Sequence, residues 1–137
     1  MVDEKNTQKE SIKVLQECAE LQIKKSQDYN NPDSRVRQEM YYTRGVATLL
    51  DIMWGKMLRM YSVVEAMEND IDYNPNFESL EDSAKDMINY SSFVVAYLRQ
   101  GIDGQDGTKD FLGRRIKNET NNGWSKTKKR RTRRQSS

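Results

Sequence analysis

The chain has 137 residues, 35% of them apolar and 32% charged, which fits one domain with a modest core. It contains no histidine and one cysteine, Cys18, which excludes imidazole bases, histidine-containing triads, the usual zinc ligand sets and an intrachain disulfide. The polar N-terminus lacks a signal-like core and no apolar run approaches the roughly 18 residues of a membrane span, so we expect a cytoplasmic protein without membrane contact.

The charge is divided unevenly along the chain. The formal net charge is +2, but residues 120–137 carry seven basic residues and no acidic one. The remaining residues, 1–119, hold 16 basic and 21 acidic residues and therefore a net charge of −5. We predict a folded acidic domain over 1–119 and a disordered basic tail over 120–137, because the tail is too poor in apolar residues to fold alone.

The first predicted helix begins near Asn6 or Thr7, where an amphipathic pattern starts, and ends near Asp28. Turn-forming residues follow it, and the residue before Pro32 disfavours α geometry. The next stretch, "RVRQEMYYTRG", is consistent with a short helix or an ordered loop that leads into Gly45.

The second predicted helix runs from Val46 to about Glu68, and the third from Glu78 to about Gln100, where Gly101 stops it. Between them "NDIDYNPN" is a predicted loop, and "TKDFLGRRIKNE" near the end predicts a short helix. The methionines of the second helix predict an adaptable packing surface between subunits. Its predicted apolar face comprises Leu49, Leu50, Met53, Met57, Met60, Tyr61 and Val64. The fold class is therefore all-α, an oligomeric bundle of three long helices plus short helices.

Three carboxylates, those of Glu78, Asp82 and Asp86, follow each other at i,i+4 spacing on the third helix. Such like-charge pairs destabilise a helix by roughly 0.2–0.5 kcal/mol each. Asp86 also abuts a very apolar segment and needs a partner, and Lys85 points about 100° away from it on an α-helix. A solvated acidic face is one reading; Mg²⁺ or Mn²⁺, which prefer oxygen ligands, is the other.

A second acidic pair, Glu17 and Glu20, lies on the first helix in an E-x-x-E arrangement. It predicts either an ordinary solvated helix face or a second acidic stripe that shares the metal with the third helix. Lys56 and Arg59, on the second helix, and Lys25 would then bind the phosphates of a polyphosphate ligand, although each also fits a plain surface cation. Several aromatic side chains are candidates for stacking on a base or for the core: Tyr29, Tyr41, Tyr42, Trp54 and Tyr90.

Four motifs in order carry a resemblance over about residues 12–100: "ECAEL", "KKSQDY", "LLDIMWGKMLRM" and "ESLEDSAKDMINY". They resemble the phage branch of the MazG-like all-α nucleoside triphosphate pyrophosphohydrolases. The resemblance implies cleavage of (d)NTP to (d)NMP and diphosphate, two or three Mg²⁺ or Mn²⁺ ions per site, and a homodimer or homotetramer. It also implies the host cell cytoplasm if the chain is phage-encoded. By analogy with the enzymes of 2-aminoadenine phages, dGTP or GTP is the expected substrate.

The resemblance also implies roles for individual residues. It places metal at Glu17, Glu20, Asp82 and Asp86, and gives Glu17 or Glu20 the further role of a base. In the family the second acidic group follows the first after a short spacer, whereas here it lies far downstream and is spaced by four. Charge stabilisation falls to Lys56 and Arg59. The substrate-binding set is Lys25, Lys56, Arg59, Asn89 and Tyr90, with Glu78 as a further metal candidate.

Two other functions fit the sequence. The seven cations of the tail could neutralise nucleic-acid phosphates, either as the principal function or as a non-specific accessory contact. The chain could instead be a helical oligomer that binds nucleotide, or nothing, without catalysis.

Overall fold

In a computed structural model, the described residues form three long α-helices and one short 3₁₀ helix. The structure describes residues 9–29, 31–69 and 77–116. In chain order the helices are α1 (Glu10–Tyr29), a 3₁₀ helix (Gln38–Tyr41), α2 (Val46–Asn69) and α3 (Phe77–Leu98). The all-α prediction is confirmed, and the predicted helix ends in the described ranges agree to within two residues. The start predicted near Asn6, most of the predicted loop 69–76 and the tail 120–137 lie outside the described residues.

The central helix of the described structure is α3. It packs along α2 and along α1, whereas no Cα of α1 lies within 8 Å of a Cα of α2. Residues on both outer helices therefore meet through side chains of α3. Among the described residues, no helix combines the length and the apolar character that a bilayer span requires.

The buried core lies where α2 and the second half of α3 meet the loops at their ends. Its members are Tyr42, Leu49, Tyr97 and Ile102, with Phe93 and other half-buried side chains against them. The core is small for a chain of this length. Many large apolar side chains of the described residues are instead exposed.

Residues 101–116 close the core as an ordered loop. The carbonyl of Phe111 accepts a hydrogen bond from the backbone N–H of Val46 at 2.8 Å, and Gln105 donates to the carbonyl of Tyr97 at 2.8 Å. Gly45 has φ +57°, and a Cβ there would overlap the Phe111 carbonyl, so this approach requires glycine. The prediction of a short helix in "TKDFLGRRIKNE" is wrong over its described part, 108–116, where turns and one isolated bridge stand instead.

The end of α3 also differs from the prediction in its capping residue. The helix ends at Leu98, and the left-handed residue that follows is Gln100, with φ +62°, rather than Gly101. The N–H of Gly101 reaches back to the carbonyl of Ala96 at 2.8 Å. A non-glycine side chain therefore occupies a position where glycine is the common choice.

The predicted apolar face of α2 is divided in the structure. Leu49 is fully buried and Met53 and Met60 are half-buried, whereas Leu50 and Tyr61 are more than half exposed. All seven residues of the face lie in two rows that are one residue apart along the chain. A helix turns about 100° per residue, so the two rows point in different directions. In the described structure one row is buried or half-buried, whereas the other is largely exposed.

Candidate functional site: a charged layer across three helices

A charged layer crosses the three helices and consists of Glu17 on α1, Lys56 on α2, and Lys85 and Asp86 on α3. Lys56 Nζ lies 2.9 Å from Asp86 Oδ2, and each side chain is 26% exposed. Lys85 Nζ lies 3.0 Å from Glu17 Oε1. The two ion pairs thus connect α3 to both outer helices.

The thiol of Cys18 lies within this layer. It is buried, and it donates a long hydrogen bond to the backbone carbonyl of Lys85, 3.9 Å from Sγ. Burial raises the pKa of the Cys18 thiol, and the charges of Lys85, Glu17 and Asp86 all act on it as well. These charged groups of α1 and α3 therefore share one neighbourhood, although they are far apart in sequence.

Lys85 is held by two carboxylates. Besides Glu17 it contacts Glu81, 3.1 Å away and one helical turn earlier. The hydrogen bonds to Glu17 and Glu81 raise the pKa of the Lys85 ammonium above its usual range. The sequence predicts that Lys85 points away from Asp86, and its two partners are Glu81 on the same helix and Glu17 on another, a contact that the sequence did not reveal.

An amide layer lies one turn along from the charged layer and joins α1 to α3. The side-chain N–H groups of Gln22 donate to Asn89 Oδ1 at 2.9 Å and to Ser92 Oγ at 2.8 Å. Ser92 donates in turn to the carbonyl of Asn89 at 2.6 Å. Asn89 is buried. If it binds substrate, as the sequence predicts, its side chain is already held in place by the protein.

Gln22 is a residue that the sequence analysis missed. It also lines a shallow cavity with Ile23, Ser26 and Gln27 on α1. Its position could have indicated this role, because Gln22 follows Cys18 by four residues and belongs to the same helix face. Apolar periodicity, however, does not mark a polar residue such as glutamine.

The other predicted site residues are more peripheral. Tyr90 packs edge to face on Phe93, with ring centroids 5.6 Å apart, and is half-buried against the core. The remaining four are exposed in the structure: Glu20, Lys25, Arg59 and Asp82. The side chains of Glu78 and Tyr29 lie outside the described part of the structure.

The carboxylates offer the donor chemistry that Mg²⁺ and Mn²⁺ prefer. Within the part of the chain that the structure describes, however, no three acidic or thiol side chains form a group able to hold an ion. The sequence predicts a metal as the partner of Asp86, and the structure places the Lys56 ammonium at that carboxylate. A metal among these side chains would therefore have to compete with lysine, or gain ligands beyond the described residues.

Comparisons with protein-family models, with characterised proteins and with solved structures gave no match to this chain.

Proposed function

We propose that the chain is a metal-dependent nucleoside triphosphate pyrophosphohydrolase that acts on dGTP or GTP. One observation carries the proposal: Glu17, Lys56 and Asp86, drawn from three separate motifs, converge on one layer across three helices. A plain solvated acidic face does not require such convergence. The motif resemblance supplies the reaction class.

The lysines of the layer suit a triphosphate. An ammonium has three donors, and the contact with Asp86 uses one donor of Lys56. The two that remain can bind phosphate oxygens, and a cation held in place before the reaction stabilises charge that develops there. Arg59 lies three residues along α2 and is exposed, so its guanidinium is free to move towards the same phosphates.

In the reaction, the oxygen of water forms a bond to the α-phosphorus while the bond from that phosphorus to the bridging oxygen breaks. The products are a nucleoside monophosphate and diphosphate. The proton that water loses passes to a carboxylate, Glu17 or Glu20, and then to solvent. Glu17 binds Lys85 through one oxygen, Oε1, which leaves Oε2 as the acceptor.

The metal candidates are Glu17, Glu20, Asp82 and Asp86, as the resemblance implies. Two or three Mg²⁺ or Mn²⁺ ions held there would lower the pKa of bound water and offset the charge of the triphosphate. The chain has no histidine, so carboxylates would be the proton acceptors. The active form is proposed to be a homodimer or homotetramer in the cytoplasm.

The test is to incubate the purified full chain with each of the eight common NTPs and dNTPs plus Mg²⁺ or Mn²⁺. We expect monophosphate and diphosphate, fastest from dGTP or GTP. Glu20→Ala and Asp82→Ala should abolish turnover with helix content unchanged, whereas Glu65→Ala, an exposed acid on α2, should retain it. Full activity in the first two variants would remove those residues from the mechanism.

The second candidate, a helical oligomer without catalysis, is favoured by the ion pairs themselves. The two carboxylates of the charged layer, Glu17 and Asp86, already have lysine partners, as in an ordinary structural network. On this reading the same incubation releases no diphosphate with any nucleotide. Deleting 120–137 tests nucleic-acid binding as the principal function: an enzyme keeps its hydrolysis without the tail, whereas a nucleic-acid-binding protein loses its activity.

A further inference from the structure

The helix α2 has two seams of mostly apolar side chains, and the described structure covers one of them. The inner seam packs towards α3 and consists of Leu49, Met53, Lys56, Met60 and Val63, which are all buried or half-buried. The outer seam follows it one residue later at every position and consists of Leu50, Trp54, Met57, Tyr61 and Val64. One residue corresponds to about 100° of helix rotation, so the two seams face different neighbours.

The outer seam is largely exposed. Trp54 is 60% exposed, Tyr61 59% and Leu50 52%, while Val64 is 39% exposed and Met57 is half-buried. Leu58, beside the seam, is 49% exposed. Single exposed apolar residues are ordinary, but a continuous row along a helix marks a surface that another element covers.

The spacing of the outer seam identifies the kind of element that fits it. Its members follow at steps of 4, 3, 4 and 3 residues, as the sequence prints them. This is the a/d spacing of helices that pack side by side along their length, and a four-helix bundle gives each helix two neighbours about 90° apart. Among the described residues α2 packs on a single long helix, α3. A second helical neighbour is therefore required.

This chain cannot supply that helix from its remaining segments. A partner for Leu50–Val64 needs about 20 Å of helix, or about 14 residues. The undescribed segments 1–8 and 70–76 are too short, and in 117–137 Trp124 is the only aliphatic or aromatic residue. None of them carries a complementary apolar row.

A second copy of the chain carries such a row. The outer seam is nearly symmetric about Met57, with Leu50 seven residues before it and Val64 seven after, and Trp54 three before and Tyr61 four after. An antiparallel pair with its twofold axis at Met57 would place Leu50 opposite Val64 and Trp54 opposite Tyr61. Such self-complementarity is what a twofold interface requires.

We infer that the outer seam of α2 docks on the same seam of a second copy of this chain, antiparallel and about a twofold axis near Met57. This inference does not depend on the proposed hydrolysis. It also narrows the predicted subunit surface: of the methionines of α2, Met57 belongs to the outer seam, whereas Met53 and Met60 are half-buried on the inner seam.

The test compares oligomeric state between matched variants of the full chain by light scattering after size exclusion. Wild type should be a dimer or a larger even-numbered assembly at micromolar concentration. Tyr61→Asp, which places a charge in the seam, should weaken self-association at least tenfold. Ser62→Asp, exposed one residue later and outside the seam, should leave it unchanged. Circular dichroism should report equal helix content in all three proteins.

Oxidative crosslinking locates the axis. Diamide takes up two electrons and two protons as two thiols join, so Met57→Cys should yield a disulfide-linked dimer and Ser62→Cys should not. A monomeric wild type at about 100 µM, or association unchanged by Tyr61→Asp, would overturn the inference and leave a different protein as the occupant. A dimer lost in Tyr61→Asp but not crosslinked at residue 57 would overturn the twofold register.

Discussion

Lys56 of α2 and Asp86 of α3 form the shortest ion pair between two long helices in the described structure, with Nζ and Oδ2 2.9 Å apart. Both side chains are about three-quarters buried, so water screens the pair less than it screens the exposed pair of Arg44 and Asp51. The pair should stabilise the fold and, under the proposed function, both side chains should also be needed for catalysis. Experiments can measure the two effects separately.

A double-mutant cycle measures the structural part. Lys56→Met and Asp86→Asn should each destabilise the fold, and the coupling energy between them should be about 1 kcal/mol in urea unfolding, at the upper end of the range for exposed pairs. The same cycle at Arg44 and Asp51 is the control and should give a coupling energy close to zero.

Catalysis would be lost in both Lys56 and Asp86 single variants and would not return in the double variant. A double variant with wild-type turnover would contradict the catalytic assignment.

The ion pairs of Lys85 lead us to predict that the folded protein loses stability at alkaline pH. The folded pKa of Lys85 is raised by Glu17 and Glu81, above the ordinary value of about 10.4 in an unfolded chain. The stabilisation is therefore fully present below about pH 10.4 and disappears as the pH rises through the higher folded pKa. Thermal unfolding between about pH 10 and 12 should show a steeper fall in Tm for wild type than for Lys85→Gln. Equal slopes would show that the folded ammonium gains nothing from its partners.

We predict that replacing Gln22, which breaks the amide layer, measurably lowers the free energy of unfolding. Gln22→Leu removes the donors to Asn89 and Ser92, and the Asn89 side chain is buried and would lose that partner. The expected destabilisation is about 1–2 kcal/mol in urea unfolding, the range for a buried polar group left unpaired. Gln27→Leu, exposed on the same helix, is the matched control and should change stability by less than about 0.5 kcal/mol.

Two glycines predict opposite responses to the same change. Gly45→Ala should destabilise by several kcal/mol, because φ is +57° and the new Cβ would overlap the Phe111 carbonyl. Gly55→Ala, inside α2 with nothing within 4 Å of the new Cβ, should stabilise by about 0.5–1 kcal/mol. Differential scanning calorimetry compares the two. If Gly55→Ala raises Tm but removes activity, the open space beside Lys56 is used by a ligand.

The end of α3 offers a stabilising change. Gln100 adopts a left-handed φ of +62°, which glycine adopts without strain. Gln100→Gly should therefore raise the free energy of unfolding by up to about 1 kcal/mol, less the entropy that glycine gains in the unfolded chain. Gly101→Ala serves as the comparison, since the next residue needs no left-handed conformation. A Tm lowered by Gln100→Gly would show that its side chain makes a compensating contact.

The sequence by itself determined the helices of this protein. Apolar periodicity, the turn cluster around Pro32 and the glycines near residue 101 fix where α1 and α3 end to within two residues, because those signals act over one or two helical turns. The absence of histidine and the division of charge between body and tail are likewise properties of the chain alone. These local signals did not reveal which helices pack against each other.

Only the tertiary structure decided which charges meet. Asp86 on its own helix gave no hint that Lys56, thirty residues earlier, would reach it, nor that Glu17 would share Lys85 with Glu81. Likewise, the single apolar face predicted for α2 is divided into an inner and an outer seam. The position of α3, and not apolar character alone, decides which of these side chains are buried. Contacts between distant segments depend on the placement of whole helices, and a pattern that spans a few turns carries no information on that placement.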